Sequence, residues 1–143
     1  MENNKIVVEF VGHTDSVLCG SFFKVDMIAA SGSKDNTVGI WNFVDHTEKM
    51  VLKAHNSIVN SIKFIENKNF LASVEKDCKI IIWKLTDHSK YALLSGHSDY
   101  INEILIIKDE KFIISYDFKD GIKIWDIDKK QENNLFTDQK RSF

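Results

Sequence analysis

The 143-residue sequence contains no proline and only two cysteines, Cys19 and Cys78. The absence of proline removes one of the devices with which proteins protect exposed edge strands. The two cysteines occupy different positions of the repeat described below, so no disulfide framework is implied. We therefore expect a reducing, intracellular compartment, with the cytoplasm as the default.

The sequence also has little net charge and no long apolar run. A formal net charge of −2 and a pI near 6.2 argue against a broad basic surface for nucleic acid. No stretch approaches transmembrane length, and residues 1–5 lack the charged-then-apolar layout of a signal peptide. We expect partners that are neither nucleic acid nor membrane.

Motifs of cofactor and metal chemistry are missing as well. The sequence contains no glycine-rich phosphate loop, no paired-cysteine motif and no nucleophile elbow. We therefore expect no cofactor, no metal and no catalytic residue.

What the sequence does contain is a repeat of 42 residues. This interval separates the histidines His13, His55 and His97, and it also separates all three tryptophans, Trp41, Trp83 and Trp125. Self-similarity at a period of about 40 to 45 residues indicates a supersecondary unit that cannot bury its apolar face alone. Such a unit stacks on copies of itself.

Each unit contains four short runs of strand-forming residues. β-Branched and aromatic residues dominate the runs, and polar clusters separate them, which is typical of strands and not of helices. The second runs are residues 28–31, 70–73 and 112–115, and the third are 38–41, 80–83 and 122–125. The fourth are 49–53, 91–94 and 134–136, and an additional strand without a unit of its own is predicted at 5–10.

Signature residues at fixed places in the units resemble those of the WD-repeat β-propeller family. They are Gly12-His13, Ala54-His55 and Gly96-His97, the turns at 31–35 and 73–77, and Trp125-Asp126. The resemblance implies an all-β fold of three four-stranded antiparallel blades, with repeats at about 12–53, 54–95 and 96–137. Residues 5–10 would then be a strand of a preceding blade, and 138–143 a polar tail. The departures from the family pattern are Ala54 in place of Gly, Asn42 and Lys84 in place of Asp after the tryptophan, and Lys119, where the first two units have a turn Asp.

The number of repeats leaves two interpretations of the ring open. Propellers generally have about four to eight blades, whereas the sequence holds little more than three periods of 42 residues. Either the sequence is a piece of a larger propeller, or another chain completes an incomplete ring. A second copy would do so, since two copies placed head to tail supply six blades.

Histidine, serine and aspartate recur in the units, and two roles are conceivable for them. His13, Ser31 and Asp35 are the ingredients of a nucleophilic triad. A catalytic constellation is needed only once, however, so recurrence argues against that role. The family resemblance instead implies a buried structural network in each blade. Its members would be His13, Ser31, Asp35, Trp41, His55, Ser73, Asp77, Trp83, His97, Ser115 and Trp125.

Two details of the histidine pattern need separate interpretation. In the third unit, Asp117 or Asp120 would have to reach His97, because Lys119 replaces the turn Asp. The pairs Asp45-His46 and Asp87-His88 contain zinc-ligand residue types. They fall on neighbouring units, and the third unit has two lysines there, so we expect solvated turns.

Function is therefore expected from surfaces. Because adjacent strands run antiparallel, the loop with the His and the turn with the Asp emerge on the same edge of each blade, and these edges form one rim. The candidate partner-binding residues on this rim are Asp15, Lys34, Ile58, Lys76, Asp99, Tyr100 and Phe118. Large apolar and aromatic residues there are candidate anchors.

Two classes of function remain open. The family resemblance implies a non-enzymatic scaffold that presents its rim to partner proteins. The alternative is a structural subunit that completes a larger propeller, either by homo-oligomerisation or by adding blades to a partner chain through strand pairing.

Overall fold

A computed structural model describes residues 5, 9–107 and 109–133 of the chain. These residues form three four-stranded antiparallel sheets, each with its strands in chain order. The first sheet contains β1 (Val17–Phe23), β2 (Ile28–Ser33), β3 (Val38–Asn42) and β4 (Thr47–Leu52). The second contains β5 (Val59–Ile65), β6 (Phe70–Glu75), β7 (Lys79–Lys84) and β8 (Lys90–Ser95). The third contains β9 (Glu103–Ile107), β10 (Phe112–Asp117), β11 (Gly121–Asp126) and β12 (Gln131–Glu132).

The turns of this chain, which has only six glycines, place other residues in the left-handed backbone region. The turn between the third and fourth strands of every sheet has a left-handed residue at the same repeat position. These residues are His46, His88 and Lys130, with φ of 59°, 61° and 56°. Left-handed backbone is uncommon outside glycine, and the repeated use of one position points to a turn that the surrounding strands impose.

The middle sheet is packed on both faces. One core joins it to the first sheet and includes Ile40, Ile81 and Trp83, and a second core joins it to the third sheet and includes Ile80 and Ile82. Successive residues of β7 thus point alternately into the two cores, as a pleated strand requires. This explains why residues 80–83 form an uninterrupted apolar run, since a strand buried on both faces has no solvent side.

The outer faces of the first and third sheets expose apolar side chains instead. We call the free face of the first sheet the first outer face, with Val17, Phe22 and Phe43 exposed by 57%, 45% and 37%. We call the free face of the third sheet the third outer face, with Leu105, Tyr116 and Ile122 exposed by 49%, 37% and 60%. These two faces have no counterpart sheet among the described residues.

The predicted fold class is confirmed. The described chain is all-β apart from one short 3-10 turn at Glu66–Lys68, and each sheet has the four antiparallel strands that the repeat predicted. Nowhere in the described ranges is there a helix with the length and apolarity that crossing a bilayer requires.

Three predicted segments need correction or lie wholly or partly outside the described residues. The fourth strand of the third unit, predicted at 134–136, lies outside the described residues, and the observed strand β12 comes earlier, at Gln131–Glu132. Of the predicted strand at 5–10, residues 6–8 lie outside the described residues, and residues 5, 9 and 10 are not in a strand. The predicted tail at 138–143 also falls outside.

Candidate functional site

The first sheet brings together the four residues expected from its repeat. His13 Nδ1 lies 2.9 Å from Asp35 Oδ2, and His13 Nε2 lies 2.7 Å from Ser31 Oγ. The Trp41 indole Nε1 donates to the same Ser31 Oγ over 2.8 Å. Thr37 Oγ1 and the Thr14 backbone N–H also donate to the Asp35 carboxylate, over 2.5 and 3.0 Å.

The second sheet builds the same arrangement with a different carboxylate. His55 Nε2 lies 2.6 Å from Ser73 Oγ, and Trp83 Nε1 donates to that oxygen over 2.7 Å. The group beside His55 Nδ1, at 3.1 Å, is Glu75 Oε2. Asp77, expected in this position, is therefore not the partner of His55.

The position of the carboxylate explains this correction. Asp35 follows Ser31 by four residues and reaches His13 from the turn, whereas Glu75 follows Ser73 by only two and lies at the end of β6. A side chain at the strand end points directly at the histidine. The third unit has an acidic residue at the same place, Asp117, and this shared signal could have identified Glu75 from the sequence.

In the third sheet, two carboxylates make the hydrogen bonds that a single carboxylate makes in each of the other sheets. Asp117 Oδ2 lies 2.7 Å from His97 Nδ1, while Asp120 accepts hydrogen bonds from the Ser98 backbone N–H and hydroxyl over 2.6 and 2.7 Å. Asp120 thus replaces the contact that Asp35 and Glu75 make with the loop after their histidines. The remaining members follow the common plan, with Ser115 Oγ 2.6 Å from His97 Nε2.

The direction of each hydrogen bond follows from what the groups can donate. An indole N–H only donates and an ionised carboxylate only accepts. The histidine Nδ1–H therefore donates to the carboxylate, and in the neutral ring Nε2 accepts the serine O–H. Each serine oxygen in turn accepts from its tryptophan, Trp125 Nε1 to Ser115 Oγ over 2.7 Å in the third sheet. With a neutral histidine every donor in the chain is used, as a buried network requires.

Burial and hydrogen bonds shift the pKa values of the network in consistent directions. Burial opposes ionisation of Asp35, but the bonds from Thr37, Thr14 and His13 outweigh it and hold the pKa of this carboxyl below its usual range. Asp117 shows the same balance, with burial overcome by the Asp120 backbone N–H and His97, so its pKa is also lowered. Burial lowers the pKa of His55 against the opposing effect of Glu75. These directions favour ionised Asp35 and Asp117 and a neutral His55.

Access to the serines differs between the sheets. Ser73 and Ser115 are completely buried, because the neighbouring sheet covers them. Ser31 is only half-buried and lines a cavity of about 360 Å³ on the first outer face, together with Phe10, Val17 and Ala29. The accessibility of Ser31 thus follows from the uncovered face and not from a different local geometry.

The aspartates of the two Asp–His pairs make local hydrogen bonds within their turns. Asp45 accepts from the backbone N–H and hydroxyl of Thr47, and Asp87 does the same with Ser89. Ligand atoms of His97, Asp117 and Asp120 lie within 4.8 Å of one another, close enough to share a cation. Asp117, however, also accepts backbone N–H bonds from its own turn, so its oxygens already have partners.

The candidate rim residues lie on one edge of the sheets. The backbone bond from Lys34 N to Ser16 O joins turn and loop in the first sheet, and Lys76 N to Ile58 O does so in the second. Phe118 is 87% exposed and Tyr100 is 53% exposed. Of the other candidates, Asp15, Lys34 and Lys76 are exposed, and Ile58 and Asp99 are half-buried.

Comparison with known proteins identifies the repeats. The family model described as WD domain, G-beta repeat matches residues 4–42 and 46–84, together more than half of the chain. The chain belongs to the WD-repeat family. No curated protein sequence matches it significantly. WD repeats generally serve as scaffolds for protein–protein interaction, and the family is generally not enzymatic.

Family membership clarifies how the two matched repeats relate to the sheets. Each matched segment ends at the residue after the tryptophan, so it ends with the third strand of a sheet. The fourth strand of the first sheet, β4, begins at Thr47, after the first matched segment has ended at residue 42. The fourth strand of the second sheet, β8, begins at Lys90, after the second matched segment has ended at residue 84. The His–Ser–Trp sets of this WD-repeat protein fall within the matched segments in the first two sheets.

Proposed function

We propose that this protein is a non-enzymatic scaffold that binds partner proteins on the rim formed by the histidine loops and the acidic turns. The observation that carries the proposal is Phe118, which is 87% exposed at the tip of a turn held by three backbone N–H bonds to Asp117. An aromatic side chain exposed on a hydrogen-bonded turn is a suitable anchor for a partner's pocket.

A second aromatic group supports the same rim. The Lys76 Nζ lies 5.0 Å from the centre of the Tyr100 ring, which leaves half of the tyrosine exposed between the second and third sheets. Such a cation–π contact orients both groups. Asp99 adjoins Tyr100 and accepts its backbone N–H, so the anchor has charges of both signs around it. Aromatic centre and charged surroundings are the usual composition of an interface.

The arrangement of the serines favours binding over catalysis. A serine nucleophile needs a free path to its oxygen, but Ser73 and Ser115 are fully buried and each accepts a tryptophan N–H. Ser31 makes the same contact. We infer that the three sets stabilise the sheets, and that the rim is the functional surface.

Copurification from a cell extract tests the rim. Proteins bound by the intact chain are identified by mass spectrometry and compared between wild type, Phe118→Ser and Tyr100→Ser. The matched control is Val25→Ser, because Val25 is 81% exposed in the turn between β1 and β2, at the opposite edge. Loss of the same proteins from both rim variants but not from the control is expected. Equal capture by all four chains would contradict rim binding.

A second candidate function is completion of a larger propeller by homo-oligomerisation or by addition of blades to a partner chain. The third outer face favours it, since Leu105, Tyr116 and Ile122 expose between 37% and 60% of their surface beside one another. Contiguous apolar surface of this kind marks an interaction site. The mass of the purified chain in solution distinguishes a monomeric scaffold from a completed assembly.

A further inference from the structure

The two interfaces between neighbouring sheets use equivalent residues, 42 positions apart, so the same pairing can be extended by one more repeat. We call the face of a sheet toward the following sheet its back and the face toward the preceding sheet its front. In each interface, one position on the back of a sheet meets one position on the front of the next. Where the first sheet meets the second, Gly32 is the back position and Val59 the front position, since a Cβ on Gly32 would lie 3.1 Å from Val59 Cβ. Where the second meets the third, the corresponding residues are Val74 and Ile101, which share one core.

Extending this pattern by one repeat pairs the two outer faces with each other. One repeat after Val74, the residue equivalent to Gly32 and Val74 is Tyr116, on the third outer face. One repeat before Val59, the residue equivalent to Val59 and Ile101 is Val17, on the first outer face. Both side chains are exposed, by 37% and 57%. The third interface of the series would thus pair Tyr116 of one copy with Val17 of another.

A second set of contacts transfers in the same way. Phe64 receives the Phe23 ring at 5.6 Å, and its backbone N–H donates to Ser21 Oγ. One repeat before Phe64 is Phe22, which is 45% exposed. Two repeats after Ser21 and Phe23 are Leu105 and Ile107, and Leu105 is 49% exposed. The pattern therefore places the exposed Phe22 ring of the first outer face against Leu105 and Ile107 of the third outer face.

A buried polar atom supplies independent evidence for the pairing. Where the second sheet meets the third, Asn60 Nδ2 donates to Ile101 O over 2.8 Å. The next residue in the series is Asn102, and its Nδ2 is buried yet has no hydrogen-bond partner in the described part of the chain. The acceptor that the pattern assigns to it is Val17 O of a second copy. Leaving a buried amide donor unpaired is costly, so an acceptor at this place stabilises the pairing.

The sizes of the side chains on the two outer faces are also compatible. The third outer face carries Ile114 and Tyr116 where the second sheet has the smaller Ala72 and Val74. The first outer face is correspondingly hollow, with a cavity of about 360 Å³ beside Val17 and Ala29. Ala29 lies at the position that Leu71 occupies in the second sheet. Bulk on one face thus coincides with space on the other.

We propose, on the basis of the second candidate function, that two copies of this chain pair head to tail through these faces and close a six-bladed ring. Each copy contributes one first outer face and one third outer face, so a twofold axis relates two identical interfaces and none remains open. Six blades lie within the range of about four to eight that propellers adopt.

The mass of the purified protein and of its face variants tests the association. Light scattering should give twice the chain mass of 16.5 kDa for the wild type and one chain mass for Val17→Asp and for Tyr116→Asp. Both residues are exposed within one copy, so neither change should disturb folding, which circular dichroism checks. Phe118→Asp, on the rim, is the control and should keep the double mass. A wild type at one chain mass, or face variants that keep the double mass, would overturn the proposal.

Cysteine pairing tests the register of the two faces. Val17→Cys and Tyr116→Cys are made in separate chains that also carry Cys19→Ala and Cys78→Ala, and the two are mixed, denatured, refolded together and oxidised. At the equivalent interface within one chain, the distance from a Cβ on Gly32 to Val59 Cβ is slightly shorter than the 3.5 to 4.5 Å usual between the Cβ atoms of a disulfide. Only the mixture should give a two-chain covalent product. Absence of that product would overturn the pairing of these two faces. Loss of rim partners in the Phe118 variant is a separate result, because Phe118 is not on either face.

Discussion

The Trp83 indole N–H donates to Ser73 Oγ over 2.7 Å, and this bond joins two neighbouring strands of the middle sheet inside the core. The serine O–H donates in turn to His55 Nε2, and His55 Nδ1–H ends the series on Glu75. Every polar group in the series is buried. Removal of any member therefore leaves another group without its partner.

The first prediction concerns the stability that this series provides. We expect His55→Ala to lower the free energy of unfolding by about 1 to 3 kcal/mol, because a buried carboxylate and a hydroxyl lose their partner. Trp83→Ala should cost about 3 to 5 kcal/mol, since it also leaves a cavity. Denaturant unfolding measures both values. A His55→Ala variant that unfolds like the parent but loses a measurable hydrolase activity would contradict the structural role.

The second prediction separates Glu75 from Asp77. Glu75 is 1% exposed and bonds to His55 and to the Asn56 backbone N–H, whereas Asp77 is exposed. Glu75→Gln should therefore lower the denaturant midpoint, and Asp77→Asn should leave it nearly unchanged, as surface substitutions usually do. If Asp77→Asn destabilised the protein more than Glu75→Gln, the assignment of the His55 partner would be wrong.

The third prediction concerns differences in local stability. The second sheet is packed on both faces, while the third has its outer face exposed and only two described residues in β12. Fewer buried contacts allow local opening at lower free energy. Amide hydrogen exchange should therefore be faster across 111–133 than across 57–85. Equal protection of the two segments would contradict this order. The measurement is made on the Val17→Asp variant, which lies outside both segments, so that self-association does not contribute.

The fourth prediction follows from the lowered pKa of His55. Its pKa in the folded chain lies below the ordinary value of about 6.5, so the unfolded chain binds the proton first as the pH falls. This histidine therefore reduces the free energy of unfolding from about pH 6.5 downward, until the folded pKa is reached. His55→Gln should have a weaker dependence of melting temperature on pH in this window, and His46→Gln, at an exposed turn position, is the matched control. Identical pH profiles for wild type and His55→Gln would refute the prediction.

The repeat explains why so much of the fold was predictable. Positions 42 residues apart share one environment, so a strand that is ambiguous in one unit is supported by its equivalents in the others. The apolar run at 80–83 illustrates this, since alone it fits a buried helix as well as a strand. Its equivalents at 38–41 and 122–125 contain Gly39 and Lys123. These two residues argue against a buried helix but are compatible with a strand.

The prediction failed where two acidic residues follow the serine of one unit, one at the strand end and one in the turn. Asp35 and Asp77 are equivalent in sequence, and equivalence alone assigned both to the histidine network. In the second sheet, however, Glu75 reaches His55 from the strand end, as the shorter Asp117 reaches His97 in the third sheet. The sequence offers Asp77, by equivalence with Asp35, and Glu75, by equivalence with Asp117, and the direction in which each side chain leaves the backbone decides between them.

The sequence by itself determined the number of units, their four strands and the residue types that recur in them, because those properties depend on local patterns repeated at a constant interval. Only the tertiary structure decided which carboxylate meets each histidine, that Ser73 and Ser115 are covered while Ser31 opens to a cavity, and that Asn102 Nδ2 is buried without a partner among the described residues. These features depend on whether a neighbouring sheet covers the residue. They depend on contacts between units, which the pattern within a unit does not contain.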